Sequence, residues 1–148
     1  MKLHSIVVQE EKIKLEENMK SISIWQPWAS MISCGYKKVE TRSWNTNYRG
    51  DLLICSAKKR NMELRNYSQD VLLPLIPQKL NYENLPFGQA LAICKLVNCF
   101  KMTSENISIQ SNLELQMGYW EEGRFAWQFS DIRPLDHSFP VVGKQGFF

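Results

Sequence analysis

The sequence predicts an α+β fold in which a small β-barrel is decorated by two to three helices. Several short segments alternate apolar and polar residues, which is the spacing of half-buried strands. Helical spacing occurs in only two or three segments between them. The length of 148 residues is typical of one domain.

The N-terminal part is predicted to contain a leader, a strand and a helix. Residues 1–19 are polar with weak helical spacing, and the sequence leaves open whether this leader is a strand, a helix or a frayed arm. The domain itself is expected to span residues 20–148. Isoleucines alternate within residues 21–25, which predicts a short strand. Pro27 suits the first turn of a helix, and Gly35 is typical of the end of one.

The middle of the chain is predicted to form two strands followed by a helix. Residues 36–44 have the alternation of a strand, residues 51–57 are predicted to form a second strand, and turn-forming residues separate them. A charged helix is expected over residues 60–73. Pro74 and Pro77 interrupt it, because proline lacks the N–H that a helix interior uses.

The C-terminal half is predicted to supply the longest strands. Residues 87–102 form a long apolar stretch, which indicates a strand with both faces partly buried. Residues 104–118 are mixed and suit a short helix that contains Glu114. Residues 123–135 alternate aromatic and other side chains as a strand does, and residues 141–148 are expected to close the structure.

Composition limits the classes of protein that the chain can belong to. Hydrophobic residues make up 44% and charged residues 22%, which is ordinary for a folded domain. No run of eighteen apolar residues occurs, so a membrane-spanning helix is excluded on length. The N-terminus lacks the apolar stretch of a signal peptide, and we therefore expect a cytoplasmic protein without a membrane partner.

The cysteines are expected to be reduced core residues rather than disulfides or metal ligands. They are Cys34, Cys55, Cys94 and Cys99. Two of them lie within apolar runs, and free cysteine behaves as a small buried hydrophobe. Their spacing does not match a zinc motif, and both histidines lie near the chain ends. The sequence therefore predicts neither a metal site nor a cofactor.

Positive charge is concentrated in one segment. The net charge is only +3, yet residues 37–60 contain seven basic and two acidic residues and carry +5. A local basic field on a nearly neutral body attracts a polyanion such as nucleic acid.

Aromatic and charged residues lie within and just before this basic segment, and together they are the residue types expected of a nucleotide cleft. Lys37 and Arg42 can contact phosphate, and arginine can do so through two hydrogen bonds. Trp28 and Trp44 offer faces on which bases can stack, and Glu40 can accept a hydrogen bond from a base amino group.

Structural alternatives exist for the same residues. Tryptophan often fills the core of a small domain, and we assign Trp25 and Trp127 to the core. For Trp28 and Trp44 the sequence leaves open whether they fill the core or stack on bases. Glu40 and Arg42 lie two apart on a strand and can simply pair with each other.

The segment from Trp25 to Lys59 resembles the ASCH family, whose name stands for activating signal cointegrator homology. The family marker is a Gly-x-Lys-x-x-Glu-x-Arg pattern, met here by Gly35, Lys37, Glu40 and Arg42. Further blocks resemble the cointegrator branch or small bacterial and phage members: Gln26-Pro27-Trp28-Ala29-Ser30, Tyr48-Arg49-Gly50, Ser56-Ala57-Lys58-Lys59, Glu114-x-x-x-Gly118-Tyr119, Gly123-Arg124-Phe125-Ala126-Trp127 and Gly143-Lys144-Gln145-Gly146. Several ordered blocks make the match specific.

The resemblance implies a PUA-like fold and binding of RNA, of another single-stranded nucleic acid or of a nucleotide. The residues expected to bind it are Trp28, Lys37, Arg42, Ser43, Trp44, Arg49, Lys58, Lys59 and Arg124. The cointegrator branch works within larger assemblies, so a transcription-coactivator-like role with protein partners is a further possibility.

An enzymatic alternative also comes from the resemblance. Some small bacterial members hydrolyse acetylcytidine with a lysine, a threonine and a glutamate, and ribonuclease activity is attributed to the family. Lys37 matches the lysine, but Glu40 stands at the threonine position, and the adjacent Thr41 would point to the opposite face of the strand. If the chain is a hydrolase, Lys37, Glu40 and Glu114 are its expected catalytic residues.

Overall fold

The computed structural model describes residues 19–148 of the chain, so the predicted leader lies outside the described residues except for Met19. Within this range five strands form one mixed sheet, flanked by short helices. In chain order the elements are β1 (Lys20–Ile24), α1 (Trp28–Ser33), β2 (Val39–Arg42), β3 (Gly50–Ser56), α2 (Met62–Tyr67), β4 (Gln89–Lys101), α3 (Ser104–Ser108), α4 (Asn112–Gln116) and β5 (Phe125–Pro140). The predicted α+β class is confirmed.

The strands are arranged in the order β1-β3-β4-β5-β2. β1 and β3 are parallel, and the other three pairs are antiparallel. The parallel pair needs a crossover connection, and that crossover carries α1 and β2. Since β1 and β2 stand at opposite ends of this order, the predicted closure of the sheet into a barrel is not confirmed. The chain end pairs with β1, where Ser21 and Phe148 exchange backbone hydrogen bonds of 2.8 and 3.0 Å.

The strand containing the family marker is shorter than predicted. Residues 36–44 were expected to be extended, whereas β2 spans only four of them. The N–H groups of Tyr36 and Lys37 both donate to the Met31 carbonyl, at 2.9 and 3.0 Å, and hold the chain at the end of α1. Gly35 allows this turn because its φ of 85° is in the left-handed region that favours glycine.

The predicted helix over residues 60–73 is present but irregular. It begins after Asn61, whose side chain accepts a hydrogen bond from the N–H of Leu64 at 3.0 Å. After α2 the chain continues as a π-helical turn, Ser68–Leu72, and a 3₁₀ turn, Leu73–Leu75. Pro74 lies in the first turn of the 3₁₀ segment, where its missing N–H breaks no hydrogen bond.

The main core lies between α1 and the sheet. Its buried residues are Ile22, Ile24, Ala29, Ile32, Leu52, Ile54, Leu91, Ala92, Cys94, Leu96, Trp127 and Phe129. The assignment of Trp127 to the core is confirmed, whereas the assignment of Trp25 is wrong because 42% of its surface is exposed. Successive side chains of a strand point to opposite faces, so the burial of Ile22 and Ile24 directs Trp25 outward.

The cysteines divide into two kinds, although all four are free thiols. Cys55 and Cys94 lie in the core as predicted, and burial raises the pKa of each to about 12. Cys34 is exposed at the end of α1, so its assignment to the core is wrong, and Cys99 is half-buried. Among the helices within residues 19–148, none has the length and apolar character required to cross a membrane.

Candidate nucleic-acid interface

A cavity of about 350 Å³ opens where the turn after β1, strand β2 and the loop after α4 meet. We call it the first cavity. It is lined by Trp25, Trp28, Glu40, Thr41, Arg42, Ser43, Trp44, Met117, Gly118, Tyr119 and Arg124. The fold therefore joins the marker residues of β2 to a loop far along the chain.

Arg42 is held at the wall of this cavity by two acceptors. Glu40 and Arg42 share one face of β2, and Nη2 of Arg42 donates to Oε2 of Glu40 at 3.2 Å and to the Ser23 carbonyl at 3.1 Å. The Nε atom is buried and has no hydrogen-bond partner in the described part of the chain. The side chain as a whole keeps 22% of its surface exposed and lines the cavity.

Lys37 lies behind the cavity and does not line it. Its side chain is completely buried, its Nζ donates to the Met117 carbonyl, and its Nζ is 3.9 Å from Oε1 of Glu40. The same ammonium group sits 5.6 Å from the centre of the Trp28 ring. Burial lowers the pKa of Lys37, and the nearby carboxylates of Glu40 and Glu114 partly oppose this shift. Lys37 thus supports Glu40 and the Met117 backbone from beneath.

Glu114 is also placed behind the cavity wall. It belongs to α4, whose first turn is capped by Ser111, and its carboxylate accepts the backbone N–H groups of Lys38 and Val39 at 3.3 and 3.1 Å. Burial raises the pKa of Glu114, while Lys37 and the two backbone donors lower it in part. The carboxylate therefore fixes the beginning of β2.

The floor of the first cavity depends on close packing between Thr41 and Gly118. A Cβ atom on Gly118 would lie 2.9 Å from Cγ2 of Thr41 and 3.1 Å from Nε1 of Trp120. The hydroxyl of Thr41 accepts the N–H of Tyr119 at 3.0 Å. Glycine at this position lets the loop after α4 approach β2 without a clash.

Aromatic rings form the rim of the first cavity. Tyr119 is 61% exposed, and the Arg124 guanidinium lies 4.5 Å from the centre of its ring. Arg124 is held in place because its Nε donates to the Tyr119 carbonyl at 3.0 Å. Trp28 and Trp44 are half-buried, and Trp44 packs edge-on against Trp127 with 4.5 Å between ring centres. Trp44 therefore serves the core as well as the rim.

A second cavity, of about 740 Å³, adjoins the first one. Four residues line both cavities: Trp25, Arg42, Ser43 and Trp44. The remaining lining residues of the second cavity are Ser23, Ser56, Ala57, Lys58, Lys59, Gly88, Val141, Gly143, Lys144, Gln145 and Gly146. We call the two cavities together the basic groove, because Arg42, Lys58, Lys59, Arg124 and Lys144 line it.

The structure brings most of the predicted binding residues together in the basic groove. Those that line it are Trp28, Arg42, Ser43, Trp44, Lys58, Lys59 and Arg124. Lys37, Glu114 and Arg49 line neither cavity. Arg49 instead donates to the carbonyls of Thr46 and Tyr48, at 3.0 and 2.8 Å.

Among the groove-lining residues that sequence reasoning missed are Trp25, Tyr119 and Lys144. Trp25 was assigned to the core, although its position after two buried alternating isoleucines indicates the outer face. Tyr119 and Lys144 belong to the motif blocks named above, but no binding role was predicted for them. Their aromatic and cationic character was the available signal, and only the fold shows that they face the groove.

Comparison with known proteins gives the following similarities. Residues 22–135 match the family model of the ASCH domain. The chain is 35% identical over 98 residues to activating signal cointegrator 1 of Homo sapiens, which covers 62% of this chain and 17% of that protein. It is 51% identical over 39 residues to activating signal cointegrator 1 of Mus musculus, covering 26% of this chain and 7% of that protein. The matched segments therefore span less than a fifth of either relative.

Solved structures are similar as well. One of them is the crystal structure of ASCH from Zymomonas mobilis, with a TM-score of 0.46 and 15% sequence identity. The alignment covers 78% of this chain and 69% of that chain.

Proposed function

The chain belongs to the ASCH domain family, which is generally associated with RNA binding, and from this premise we propose that it binds single-stranded RNA in the basic groove. The observation that carries the proposal is the shared wall of the two cavities, where Trp25, Arg42, Ser43 and Trp44 line both. A cation and aromatic rings on one continuous wall match the alternation of phosphate and base along a single strand.

Phosphate groups are the proposed partners of the basic side chains. Arg42 is fixed by Ser23 and Glu40 and retains a buried Nε without a partner in residues 19–148. The side chain is 22% exposed and lines both cavities, so a phosphate oxygen in the groove would contact the exposed part of its guanidinium. Lys58 and Lys59 are exposed on the wall of the second cavity and would neutralise the next phosphates of the strand.

Bases are the proposed partners of the aromatic rim. Trp25 and Tyr119 are 42% and 61% exposed, so their faces are available for stacking. Stacking on such rings needs unpaired bases, which favours a single strand over a duplex. Glu40 also lines the first cavity, and its carboxylate is proposed to accept a hydrogen bond from a base amino group.

The test is RNA binding measured by fluorescence anisotropy over a series of salt concentrations. We expect the affinity of the full chain for a short single-stranded RNA to fall as salt rises, because bound phosphates displace counterions. Arg42→Ala and Lys59→Ala should each weaken binding and reduce the slope of log K against log salt by about 0.7 for each phosphate that the variant no longer neutralises.

Lys101→Ala is the matched control for these variants. Lys101 is exposed on β4 and lines neither cavity, so its removal changes the net charge by the same amount without touching the groove. The proposal fails if the full chain does not bind RNA at low salt, or if Lys101→Ala weakens binding as much as Arg42→Ala and Lys59→Ala do.

A hydrolase acting on acetylcytidine or RNA is the second candidate function. It is favoured by one arrangement: Glu40 lines the first cavity, where its carboxylate could act as a general base, and Nζ of Lys37 lies 3.9 Å from its Oε1. Glu114 would act only indirectly, since its carboxylate accepts the N–H groups of Lys38 and Val39.

Incubation with acetylcytidine and with RNA separates the two functions. A hydrolase would release acetate or RNA fragments, and Glu40→Gln would abolish this turnover while Lys101→Ala would retain it. Binding without turnover of either substrate supports the RNA-binding proposal alone.

A further inference from the structure

A third cavity, of about 860 Å³, lies next to the basic groove. We call it the annex. Its lining residues are Ser21, Leu53, Lys58, Phe87, Gly88, Gln89, Pro140, Val141, Val142, Lys144 and Phe148. Most of these residues are apolar, and the volume is within the range of about 300–1,000 Å³ that is typical of small-molecule sites. The annex therefore differs in character from the polar groove beside it.

The annex and the groove share one ridge. Lys58, Gly88, Val141 and Lys144 line both the annex and the second cavity. Backbone hydrogen bonds hold this ridge together, since Gly88 N–H donates to the Ala57 carbonyl at 3.2 Å and Val141 N–H donates to the Gly88 carbonyl at 2.9 Å. An RNA strand bound in the groove can therefore place one of its bases across the ridge while its phosphate stays close to Lys58 and Lys144.

Gly88 lies beside the stem of one of these lysines. A Cβ atom on Gly88 would lie 3.4 Å from both Cβ and Cγ of Lys58, which shows how closely the lysine stem crosses the glycine backbone. The φ of Gly88 is 66°, a conformation that other residues rarely adopt. The stem of Lys58 thus lies beside Gly88 on the ridge, and Lys58 lines both cavities.

The wall of the annex carries an aromatic ring that is held from behind. The guanidinium carbon of Arg60 lies 4.0 Å from the centre of the Phe87 ring, and Tyr82 packs edge-on at 5.4 Å between ring centres. These contacts restrict the ring, so less conformational entropy is lost when a second flat group stacks on it. Leu53, which is only 1% exposed, adds a buried aliphatic surface to the wall.

We propose that the annex binds one base of the RNA strand whose phosphates occupy the basic groove, an inference that rests on the proposed function. The chemistry of the annex is complementary to a nucleotide, because its apolar and aromatic wall suits the flat face of a base while Lys58 and Lys144 suit its phosphate. The flipped base would leave the path of the strand at the ridge, so that one position of a bound oligonucleotide differs from all others.

The proposal is tested by abasic scanning of a short RNA of one fixed, non-repeating sequence, just long enough to fill the groove, so that the strand binds in one register. Each oligonucleotide lacks the base at one position, and its affinity for the full chain is measured by anisotropy at one fixed salt concentration. The base in the annex should reveal itself as one position whose removal weakens binding by about tenfold. In Phe87→Ala that position should lose most of this effect, because the stacking surface is gone.

A second variant covers the case in which Phe87→Ala fails to fold. Val142 is 88% exposed at the annex and lies outside the two cavities of the groove, so Val142→Glu should fold normally while placing a negative charge beside the phosphate. Val97→Glu is its matched control, since Val97 is 46% exposed and lines none of these cavities. Val142→Glu should reduce the loss of affinity caused by removing the base at the selected position, whereas Val97→Glu should leave that loss unchanged.

The outcomes separate this inference from the proposed function. The annex proposal is overturned, and groove binding stands, if RNA binds with the salt dependence described above but no single abasic position weakens binding more than the others. The same conclusion follows if one position does so and its effect in Phe87→Ala and Val142→Glu is as large as in the wild type. If no RNA binds, both proposals fall. One selected position that disappears in the annex variants and persists in Val97→Glu supports the annex as a base pocket.

Discussion

The ammonium group of Lys37 lies 3.9 Å from Oε1 of Glu40, and the two residues face different surroundings: Lys37 is completely buried, whereas Glu40 lines the first cavity. Arg42 pairs with the other carboxylate oxygen of Glu40, at 3.2 Å. Glu40 therefore joins a buried cation to a cation at the cavity wall. The family marker in this chain thus builds and supports the wall of the first cavity.

Removal of the buried ammonium group should destabilise the fold. Lys37→Met leaves Glu40 without one of its cations and the Met117 carbonyl without its donor. We expect the free energy of unfolding to fall by about 3 kcal/mol, as when one partner of a buried ion pair is deleted. Urea denaturation measures the change. Lys38→Met is the control, because the exposed neighbour should alter the unfolding free energy by under about 0.5 kcal/mol. Equal stabilities of the two variants would refute the support role of Lys37.

Glu114 should give the unfolding free energy a defined pH dependence. Burial raises its pKa in the folded protein above the ordinary value of 4.5, so the protonated form is favoured in the folded state. The corresponding stabilisation is fully present below pH 4.5 and is lost as pH rises through the raised pKa.

The measurement compares the wild type with Glu114→Gln, which has no titrating group at this position. The unfolding free energy of the wild type minus that of the variant should decrease as pH rises above 4.5 and then level off. Urea denaturation at a series of pH values gives this difference. A difference that stays constant, or that increases with pH, would contradict the pKa direction stated for Glu114.

Gly118→Ala should disturb the floor of the first cavity. The new Cβ atom would meet Cγ2 of Thr41 at 2.9 Å, so the loop or the strand has to shift. We expect a loss of about 1–3 kcal/mol of unfolding free energy, typical of overpacking, together with weaker RNA binding.

A compensating substitution tests the stated cause. Thr41→Ser removes Cγ2 but keeps the hydroxyl that accepts the N–H of Tyr119. The double variant should therefore be more stable than the sum of the two single effects allows. Strict additivity would show that the clash with Thr41 is not the reason for the glycine.

Trp25 and Trp127 should respond oppositely to truncation. Trp127→Ala removes a completely buried ring and should cost about 3–5 kcal/mol of unfolding free energy. Trp25→Ala removes a ring that is 42% exposed and lines both cavities of the groove, so it should cost much less stability but weaken RNA binding by about tenfold. Thermal unfolding and anisotropy measure the two effects. A Trp25→Ala variant that binds RNA like the wild type would remove Trp25 from the interface.

Local patterns were sufficient for much of the fold. Alternation of apolar residues predicted β1 and β5, and apolar runs predicted β3 and β4, near their observed positions, because half-buried and fully buried strands leave these two patterns. Glu114 was correctly placed in a short helix. The length of β2 could not be predicted, since the hydrogen bonds from Tyr36 and Lys37 to Met31 oppose the extended propensity of the segment.

The candidate site was predictable as a set of residue types but not as an arrangement. A lysine, a glutamate and an arginine at spacings of three and two residues suggest convergence on one hollow. Spacing alone does not say which of them faces the hollow. The direction of Lys37 depends on the Met117 carbonyl, 80 residues away in the chain.

The sequence by itself determined the α+β class, the basic segment and the family marker of this chain, because strand periodicity, charge and motif spacing are local properties. Tertiary structure alone decided that Trp25 and Tyr119 form the rim while Lys37 and Glu114 lie behind the wall. These positions depend on contacts between β2 and the loop after α4, and contacts between such distant parts of a chain leave no periodic signal in its sequence.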